Sequence, residues 1–238
     1  MTRRSPLRLA FKIAAVLTLA ILFLVALRGQ FFDWYDVTGK AMAPTLLAGD
    51  RVVFDEAAYG ARLAGGKAIG PTNPARGDIA LFLTPDRGEL FVKRVVGLPG
   101  ETVEIRGGLL LIDGRSAEYD EASPAALEAS SKILGTETAV RLEAIDGISY
   151  PIAISTRIPL PDSPPVKVPK GELFMLGDYR SNSRDSRHFG TVHVDSILGR
   201  GTHVAMSFEG FQPRWERFGL SLSVEGRPDD DARSAPAP

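Results

Sequence analysis

Residues 38–50 have the sequence TGKAMAPTLLAGD and lie between a hydrophobic N-terminus and the first clear strand, Arg51–Phe54. Gly39 permits backbone angles that other residues avoid, and Pro44 favours an extended conformation in the residue before it. Gly49, which is followed by an aspartate, is typical of a turn. The stretch is therefore predicted to be a shaped loop that presents its middle residues at a fixed angle. We interpret it as a site rather than as part of the core.

The composition excludes several classes of function. The chain has 238 residues, of which 44% are hydrophobic and 24% charged, as in ordinary globular proteins. A formal net charge of −1 argues against a nucleic-acid partner, because phosphate binding needs a basic excess. The absence of cysteine excludes a disulfide scaffold and a cysteine nucleophile. No metal or other cofactor is predicted, since the three histidines lack ligand spacing and no phosphate-binding glycine pattern occurs.

The N-terminus is predicted to cross a membrane. Residues 9–27 form an apolar run that is interrupted only by Lys12. At about 1.5 Å per residue, a helix of this length nearly spans a hydrocarbon layer of about 30 Å. The arginines in residues 1–8 indicate, by the positive-inside rule, that this end stays in the cytoplasm and that the chain after the run is exported.

A cleavable signal peptide has the same basic and apolar regions, and it is the alternative to a retained anchor. Residues 28–30, Arg-Gly-Gln, form a poor small-x-small cleavage site. The aromatic residues within 31–35 are typical of a belt at the membrane surface. Both features favour the anchor.

The rest of the chain is predicted to be mainly β, with a curved, antiparallel, barrel-like sheet. Two-residue hairpin signals occur at Asp113-Gly114 and Asp146-Gly147. A short helix is predicted from Ser123 to Ile133, with serine as its cap and proline in its first turn. The predicted strands are Arg51–Phe54, Ile79–Leu83, Leu90–Val96, Thr102–Ile105, Leu109–Ile112, Ala139–Ala144 and Ile148–Ser155.

The β-rich part of the chain divides into a main domain and an insertion. Residues 107–168 are less apolar, contain the predicted helix and end in a proline-rich return, so we interpret them as an inserted β-rich subdomain. Residues 31–106 and 169–224 then form the main domain. Residues 225–238 are charged and proline-rich without an apolar period, which predicts disorder.

Lys93 is a candidate general base. In the run ELFVKRVV, residues 89–96, a period of two places it on one face with Phe91 and Val95. An ammonium between apolar neighbours is costly to bury, so its pKa is expected to fall from about 10.4 towards neutrality. The alternatives are a lysine that protects an edge strand and a surface lysine that extends into water.

Residues 171–190, GELFMLGDYRSNSRDSRHFG, are predicted to be a strand that ends at Gly177, followed by a polar loop. The acidic and basic side chains of this loop are compatible with a solvated surface. A second alternative is an acid–base pair formed by Asp178 and Asp185. No sugar-binding pattern accompanies that pair.

Four stretches of the chain resemble the sequence boxes of type I signal peptidases, the membrane-bound serine proteases that remove secretory signal peptides. With serine at position 41, the first would read SMAPTLLAGD. The others are RGDIALF at 76–82, FVKRVVGLPGETV at 91–103 and the segment 171–190. They occur in the family's order after an expected anchor.

The resemblance implies a role for each matching residue. Lys93 would be the general base, Ser183 would orient it, and the nucleophile belongs at position 41. The backbone N–H of that residue would stabilise the oxyanion, although Gly39 stands where many relatives offer a hydroxyl. The residues implied to support the site are Met42, Pro44, Asp178, Asp185 and Arg187.

The implied reaction is endoproteolytic removal of N-terminal signal peptides from exported preproteins after small-x-small sites such as Ala-x-Ala. The implied partners are preprotein signal peptides and the lipid bilayer, without nucleic acid. The implied protein is a monomer that crosses the bacterial inner membrane once, with its catalytic domain on the periplasmic side.

Ala41 is the main departure from the family, because a methyl group cannot attack a carbonyl carbon. The other boxes are intact, which favours a single Ser→Ala change in a functional enzyme. Two alternatives remain open: a natural inactive paralogue that acts as a membrane-anchored binding or regulatory protein, and a conjugation pilin-processing peptidase. The latter proteins lack so large an insertion.

Overall fold

The computed structural model of the chain describes residues 16–19, 32–62, 68–69, 74–122 and 133–224. Eighteen strands and a few short helical turns occur in these ranges. Residues 186–189 form one turn of α-helix, and residues 180–182, 194–196 and 215–217 form 3-10 turns. The strands are β1 Phe32–Asp36, β2 Asp50–Asp55, β3 Ala61–Arg62, β4 Ala68–Ile69, β5 Ile79–Leu83, β6 Leu90–Gly97, β7 Thr102–Arg106, β8 Leu109–Ile112, β9 Arg115–Ser116, β10 Glu118–Glu121, β11 Thr138–Ile145, β12 Ile148–Ser155, β13 Ser163–Lys167, β14 Glu172–Leu176, β15 Val192–His193, β16 Ile197–Glu209, β17 Gln212–Pro213 and β18 Leu220–Ser221.

The strands form four sheets, and every named strand pair is antiparallel. The largest sheet has nine strands in the order β1-β2-β16-β5-β6-β14-β15, with β17 and β18 also paired to β16. The others are β10-β11-β12, β13-β7-β8-β9 and β3-β4. The prediction of a mainly β, antiparallel protein is confirmed.

Both predicted two-residue hairpin turns are confirmed. Asp113 and Gly114 have φ angles of 51° and 77°, and Asp146 and Gly147 have 50° and 80°. Two consecutive positive φ angles are those of a type I′ turn, whose twist matches that of the flanking strands. The turns fix the registers of β8 with β9 and of β11 with β12.

Strand β16 is the longest strand and was not predicted. It contains glycines at 199 and 201, and glycine inside a strand generally weakens it. In the structure they permit close approach: a Cβ at Gly199 would lie 3.3 Å from the carbonyl oxygen of Asp55, and one at Gly201 would lie 3.4 Å from that of Ile79. β16 can therefore pair with β2 and β5 at once. Residues 32–36, which were interpreted as part of an aromatic belt, form β1 and pair with β2.

Several predicted segments lie outside the described residues. These are most of the predicted anchor at 9–27, nearly all of the helix at 123–133, and the tail at 225–238. Within the ranges that the structure describes, no helix has the length and apolar character needed to cross a membrane.

The loop at 41–50 is fixed by both the core and a buried carboxylate. Met42 and Leu46 belong to a buried apolar cluster that also contains Val52 and Val92. Burial of such side chains contributes roughly 1.5–3 kcal/mol each.

Asp50, at the end of the same loop, binds it through its side chain. Its carboxylate is fully buried and accepts hydrogen bonds from the Leu47 amide at 2.8 Å and from Nε of Arg217 at 3.0 Å. The Arg217 guanidinium also donates to the Thr45 carbonyl oxygen at 2.9 Å. The 3-10 turn at 215–217, between β17 and β18, therefore holds the loop in place.

Gly49 has φ of 91°, and a Cβ there would lie 1.9 Å from the Phe208 carbonyl oxygen. We expect Gly49→Ala to lower the free energy of unfolding by about 3 kcal/mol, because the strained φ and the collision with backbone add together. Gly147→Ala is the matched control, since its φ is also positive but the space around it is open. Gly147→Ala should lower the free energy of unfolding by roughly 1 kcal/mol. Urea denaturation of both variants and the parent chain measures these losses. Equal losses for the two variants would contradict this packing.

Candidate active site

Three segments of the chain meet at Gly177. A Cβ at this position would lie 2.5 Å from the Ala41 carbonyl oxygen and 2.2 Å from Oγ of Ser183. The Tyr179 amide donates a hydrogen bond of 3.0 Å to the same Ala41 oxygen. Only glycine permits this approach, so position 41 and Ser183 are brought together across its Cα.

Lys93 lies beside this meeting point. It is an interior residue of β6, which has β5 on one side and β14 on the other. Ala80 lies opposite Lys93 on β5, and Leu176 lies opposite Arg94 on β14. Continuing the β14 ladder by one residue places Gly177 next to Lys93. Lys93 is only 5% exposed, so it is neither an edge-strand lysine nor a solvated one.

Burial dominates the protonation of Lys93. Desolvation lowers the pKa of its amine to about 8, although the negative charges of Asp185 and Asp178 act in the opposite direction. The Arg187 guanidinium lowers this pKa further. The amine also lies 5.0 Å from the centroid of the Phe91 ring. About a tenth of this amine is therefore neutral at pH 7 and about half at pH 8, and the neutral form is the one that can act as a general base.

The Oγ atom of Ser183 is buried and finds no hydrogen-bond partner in the described part of the chain. The hydrogen bond to Lys93 that the resemblance implied is therefore not formed in this structure. A buried hydroxyl without a partner costs about 1–3 kcal/mol. Hydrogen bonds of catalytic groups often tighten only when substrate binds.

Asp185 and Arg187 fix the loop that carries Ser183. The Arg187 guanidinium binds the Asp185 carboxylate through two hydrogen bonds of 2.8 Å. Asp185 also accepts a hydrogen bond of 3.0 Å from the Gly177 amide and caps the helix that begins at Ser186. Burial would raise the pKa of Asp185, but the nearby His188 side chain and the hydrogen bonds from Arg187 hold it far below its usual range.

Asp178 pairs with Arg94, a partner that the sequence analysis missed. The Arg94 guanidinium donates to both carboxylate oxygens, at 2.8 and 2.6 Å, and also to the Gly77 carbonyl oxygen at 2.8 Å. Thr45, from the loop at 41–50, donates to the same carboxylate. The strand period placed Arg94 on the face opposite Lys93, but both faces of this part of β6 are buried.

The alternative of a solvated loop after Gly177 is wrong. Asp178 and Arg180 are 1% and 2% exposed, and Asp185 is fully buried. The alternative of a carboxyl acid–base pair also loses support, because each aspartate is bound by its own arginine.

The other predicted residues of the site differ in their surroundings. Met42 is buried in the apolar cluster beneath the loop. Pro44 is half-buried and follows a cis peptide bond. Gly39 is exposed, with open space where a side chain would lie.

Comparison with known proteins gives the family. The model of the family described as signal peptidase, peptidase S26, matches residues 10–206. A signal peptidase I of Pseudomonas fluorescens is 32% identical, over 84% of this chain and 75% of that protein. One of Bacillus caldolyticus is 31% identical, over 76% of this chain and 83% of that protein. The chain belongs to the signal peptidase family S26 and resembles its type I members.

Among solved structures, a signal peptidase I from Enterococcus faecalis V583 is 30% identical. The match covers 54% of this chain and 96% of the Enterococcus faecalis chain, with a TM-score of 0.32.

The lowered pKa of Lys93 has a consequence for stability. In the unfolded chain its amine keeps a proton up to about pH 10.4, whereas the folded chain releases the proton near pH 8. Between these values the unfolded state binds more protons, so stability rises with pH. Below about pH 8 the Lys93 amine is charged in the folded chain, so the full cost of burying that charge lowers the stability.

We expect Lys93→Met to be more stable than the parent chain at pH 7, and this difference to shrink by about 3 kcal/mol by pH 11. Chemical denaturation of both chains at each pH measures their free energies of unfolding. Subtracting one from the other removes the contribution of the other titrating groups, which the two chains share. A difference that is independent of pH would mean that the Lys93 amine is solvated.

Proposed function

We propose that this chain carries the framework of a signal peptidase that cleaves N-terminal signal peptides from exported preproteins after small-x-small sites. With Ala41 it would bind these substrates without cutting them. The observation that carries the proposal is the buried amine of Lys93, with a pKa near 8, on the strand that pairs with β14 just before Gly177, the residue across which position 41 and Ser183 meet.

In the serine form, the hydroxyl at position 41 would attack the scissile carbonyl carbon while the neutral Lys93 amine takes its proton. The resulting oxyanion would accept a hydrogen bond from the backbone N–H of residue 41, beside Gly39. Lys93 would then return the proton to the leaving amine, which gives an acyl-enzyme that water hydrolyses. Ser183 would orient Lys93, and its unpartnered hydroxyl is available for that hydrogen bond.

The surroundings of Ala41 support a single Ser→Ala change in a competent site. The ion pairs Arg94–Asp178 and Arg187–Asp185 are intact, and Gly177 keeps the close approach. Drift in an inactive binding paralogue is expected to damage such buried pairs, since the loss of one partner costs several kcal/mol. The natural coding sequence at codon 41 separates the two origins.

We expect Ala41→Ser in the full chain, in detergent, to cleave a preprotein after its small-x-small site. The value of kcat/KM should rise with pH and level off above about pH 8, because only the neutral amine of Lys93 accepts the proton. Adding Lys93→Met should lower kcat by a factor of about 10²–10⁴. The appearance of the mature N-terminus, identified by mass spectrometry, measures the reaction.

The unmodified chain is the control and should yield no product while it still binds the preprotein. Failure of Ala41→Ser to cleave, with Lys93 intact and the protein folded, would count against the peptidase and in favour of the binding paralogue. Cleavage restricted to a pilin precursor would favour the pilin-processing alternative.

We also propose that the protein contacts lipid on the exported side, beyond the predicted anchor at 9–27. Four aromatic residues lie where β16 turns into β17 and the following 3-10 turn, and the Phe218 ring contacts those of Phe208 and Trp215, with centroids 6.0 and 4.9 Å apart. Phe211 is fully exposed and Trp215 is 71% exposed, which is typical of an aromatic belt. We call this cluster the aromatic surface; it comprises Phe208, Phe211, Trp215 and Phe218.

The aromatic surface is tied to the candidate site. Arg217, in the same 3-10 turn as Trp215, binds the buried carboxylate of Asp50 at the end of the loop that contains position 41. Contact of the aromatic surface with lipid would therefore place the candidate site close to the membrane, where signal peptides emerge.

The chain contains two tryptophans, so Trp34→Phe leaves Trp215 as the only indole. We expect the fluorescence of Trp215 to be quenched when this variant is reconstituted into vesicles of brominated phosphatidylcholine. The matched control is Trp215→Phe, which reports Trp34 from β1 in the same vesicles. Absence of quenching for Trp215 would show that the aromatic surface faces water.

A further inference from the structure

The three-stranded sheet β10-β11-β12 contacts the first half of the Ser183 loop, residues 177–185. The Ala153 amide of β12 donates a hydrogen bond of 2.8 Å to the Asp178 carbonyl oxygen, and Ala153 forms a parallel bridge with Tyr179. The Ser155 amide donates to Oγ of Ser181 at 3.0 Å. The loop is thus an additional, irregular neighbour of this sheet.

A buried ion pair lies at the centre of this contact. Glu143 of β11 is fully buried and binds the guanidinium of Arg180, with 2.7 Å between Nη1 and Oε2. The hydroxyl of Tyr150 donates to one carboxylate oxygen at 2.8 Å, and that of Tyr119 donates to the other at 2.8 Å. Burial alone would raise the pKa of Glu143, but the Arg180 charge and these hydrogen bonds hold it below its usual range.

Arg180 connects this pair to the candidate site. Its backbone oxygen accepts a hydrogen bond of 2.8 Å from the guanidinium of Arg187, which also binds Asp185. Asp185 in turn holds the amide of Gly177, the residue across which position 41 and Ser183 meet. A continuous set of contacts therefore leads from the three-stranded sheet to the site.

A second route ends at the same residues. The guanidinium of Arg94 lies 4.3 Å from the centroid of the Tyr150 ring, and Arg94 binds the Asp178 carboxylate. Tyr150 thus contacts Glu143 with its hydroxyl and Arg94 with its ring. The two ion pairs that hold Asp178 and Arg180, at the start of the Ser183 loop, therefore both contact this one side chain.

A contribution to stability alone does not account for this arrangement. The cost of desolvating two charges largely offsets their attraction, so buried pairs are often replaceable by apolar side chains without loss of stability. Both oxygens of the Glu143 carboxylate are hydrogen-bonded, although Nε of Arg180 has no partner in the described residues, and such a network fixes the geometry of the segments that it joins. The segment joined here carries the group expected to orient the general base.

We propose that Glu143 is a positioning residue, which holds the Ser183 loop against Lys93 through Arg180. The three-stranded sheet would then be part of the catalytic framework rather than an appendage. This inference rests on the proposed peptidase function, and Glu143 itself contacts neither substrate nor the reacting atoms.

The test compares Glu143→Gln with Glu137→Gln, both in the Ala41→Ser chain. Glu137 immediately precedes β11 and pairs at 2.8 Å with Arg157, but both side chains are more than half exposed. The measurement is kcat at its high-pH plateau, where Lys93 is neutral in every variant, corrected for the folded fraction from circular dichroism. We expect Glu143→Gln to lower this kcat about tenfold or more with KM unchanged, because a small misplacement of a catalytic group is costly.

Glu137→Gln should leave kcat and KM unchanged. A plateau kcat equal to that of the parent, with only the melting temperature lowered, would overturn the proposal, since a purely structural role changes the amount of folded protein and not its turnover. An equal loss in Glu137→Gln would overturn it as well.

If Glu143→Gln does not fold, the variant Tyr150→Phe tests the positioning role of Glu143 instead. It removes one hydrogen bond from Glu143 and keeps the ring beneath Arg94, so a fall in plateau kcat of about threefold supports the proposal. An unchanged kcat overturns it.

If Ala41→Ser has no activity, the proposed function fails, but the contacts can still be tested in the Ala41 chain. We then expect Glu143→Gln, and not Glu137→Gln, to shift the amide NMR signals of Gly177 and Tyr179. Unchanged signals for both would refute the coupling independently of activity.

Discussion

The burial of one amine determines how this site is organised. Lys93 lies in the middle of the main sheet, where desolvation brings its pKa to about 8. A strand interior accepts a lysine only if its neighbours leave room for the side chain. Ala80, which lies opposite Lys93 in the ladder with β5, carries only a methyl group and leaves that room.

The charges around Lys93 are arranged so that burial decides its protonation. Two aspartates lie close enough to raise its pKa, yet each is bound by a guanidinium: Asp178 by Arg94, and Asp185 by Arg187. A free carboxylate in either place would attract the ammonium and keep it charged. By neutralising the two carboxylates, the arginines keep the pKa of the amine low, as the proposed role of Lys93 as a general base requires, and they also hold the loop of Ser183.

Local sequence signals predicted the features that depend on neighbouring residues. Asp113-Gly114 and Asp146-Gly147 specified their hairpins because few other residues adopt these φ angles. The apolar neighbours of Lys93 predicted its burial, whereas its selection as the general base rested on the resemblance of the surrounding sequence boxes. Features that depend on distant partners were missed. The glycines of β16 are needed because β2 and β5 approach them closely, which only the folded structure shows. Glu143 lies 37 residues from its partner Arg180. No period in the sequence carries that information.

The proposed chemistry requires the Lys93 amine to lie within reach of a hydroxyl at position 41. A crystal structure of the full-length Ala41→Ser chain measures this directly, as the distance between Nζ of Lys93 and Oγ of the introduced serine. We expect this Nζ–Oγ distance to be about 2.6–3.2 Å, the range of a hydrogen bond between base and nucleophile. A separation above about 5 Å, with the Lys93 side chain turned towards solvent, would contradict it.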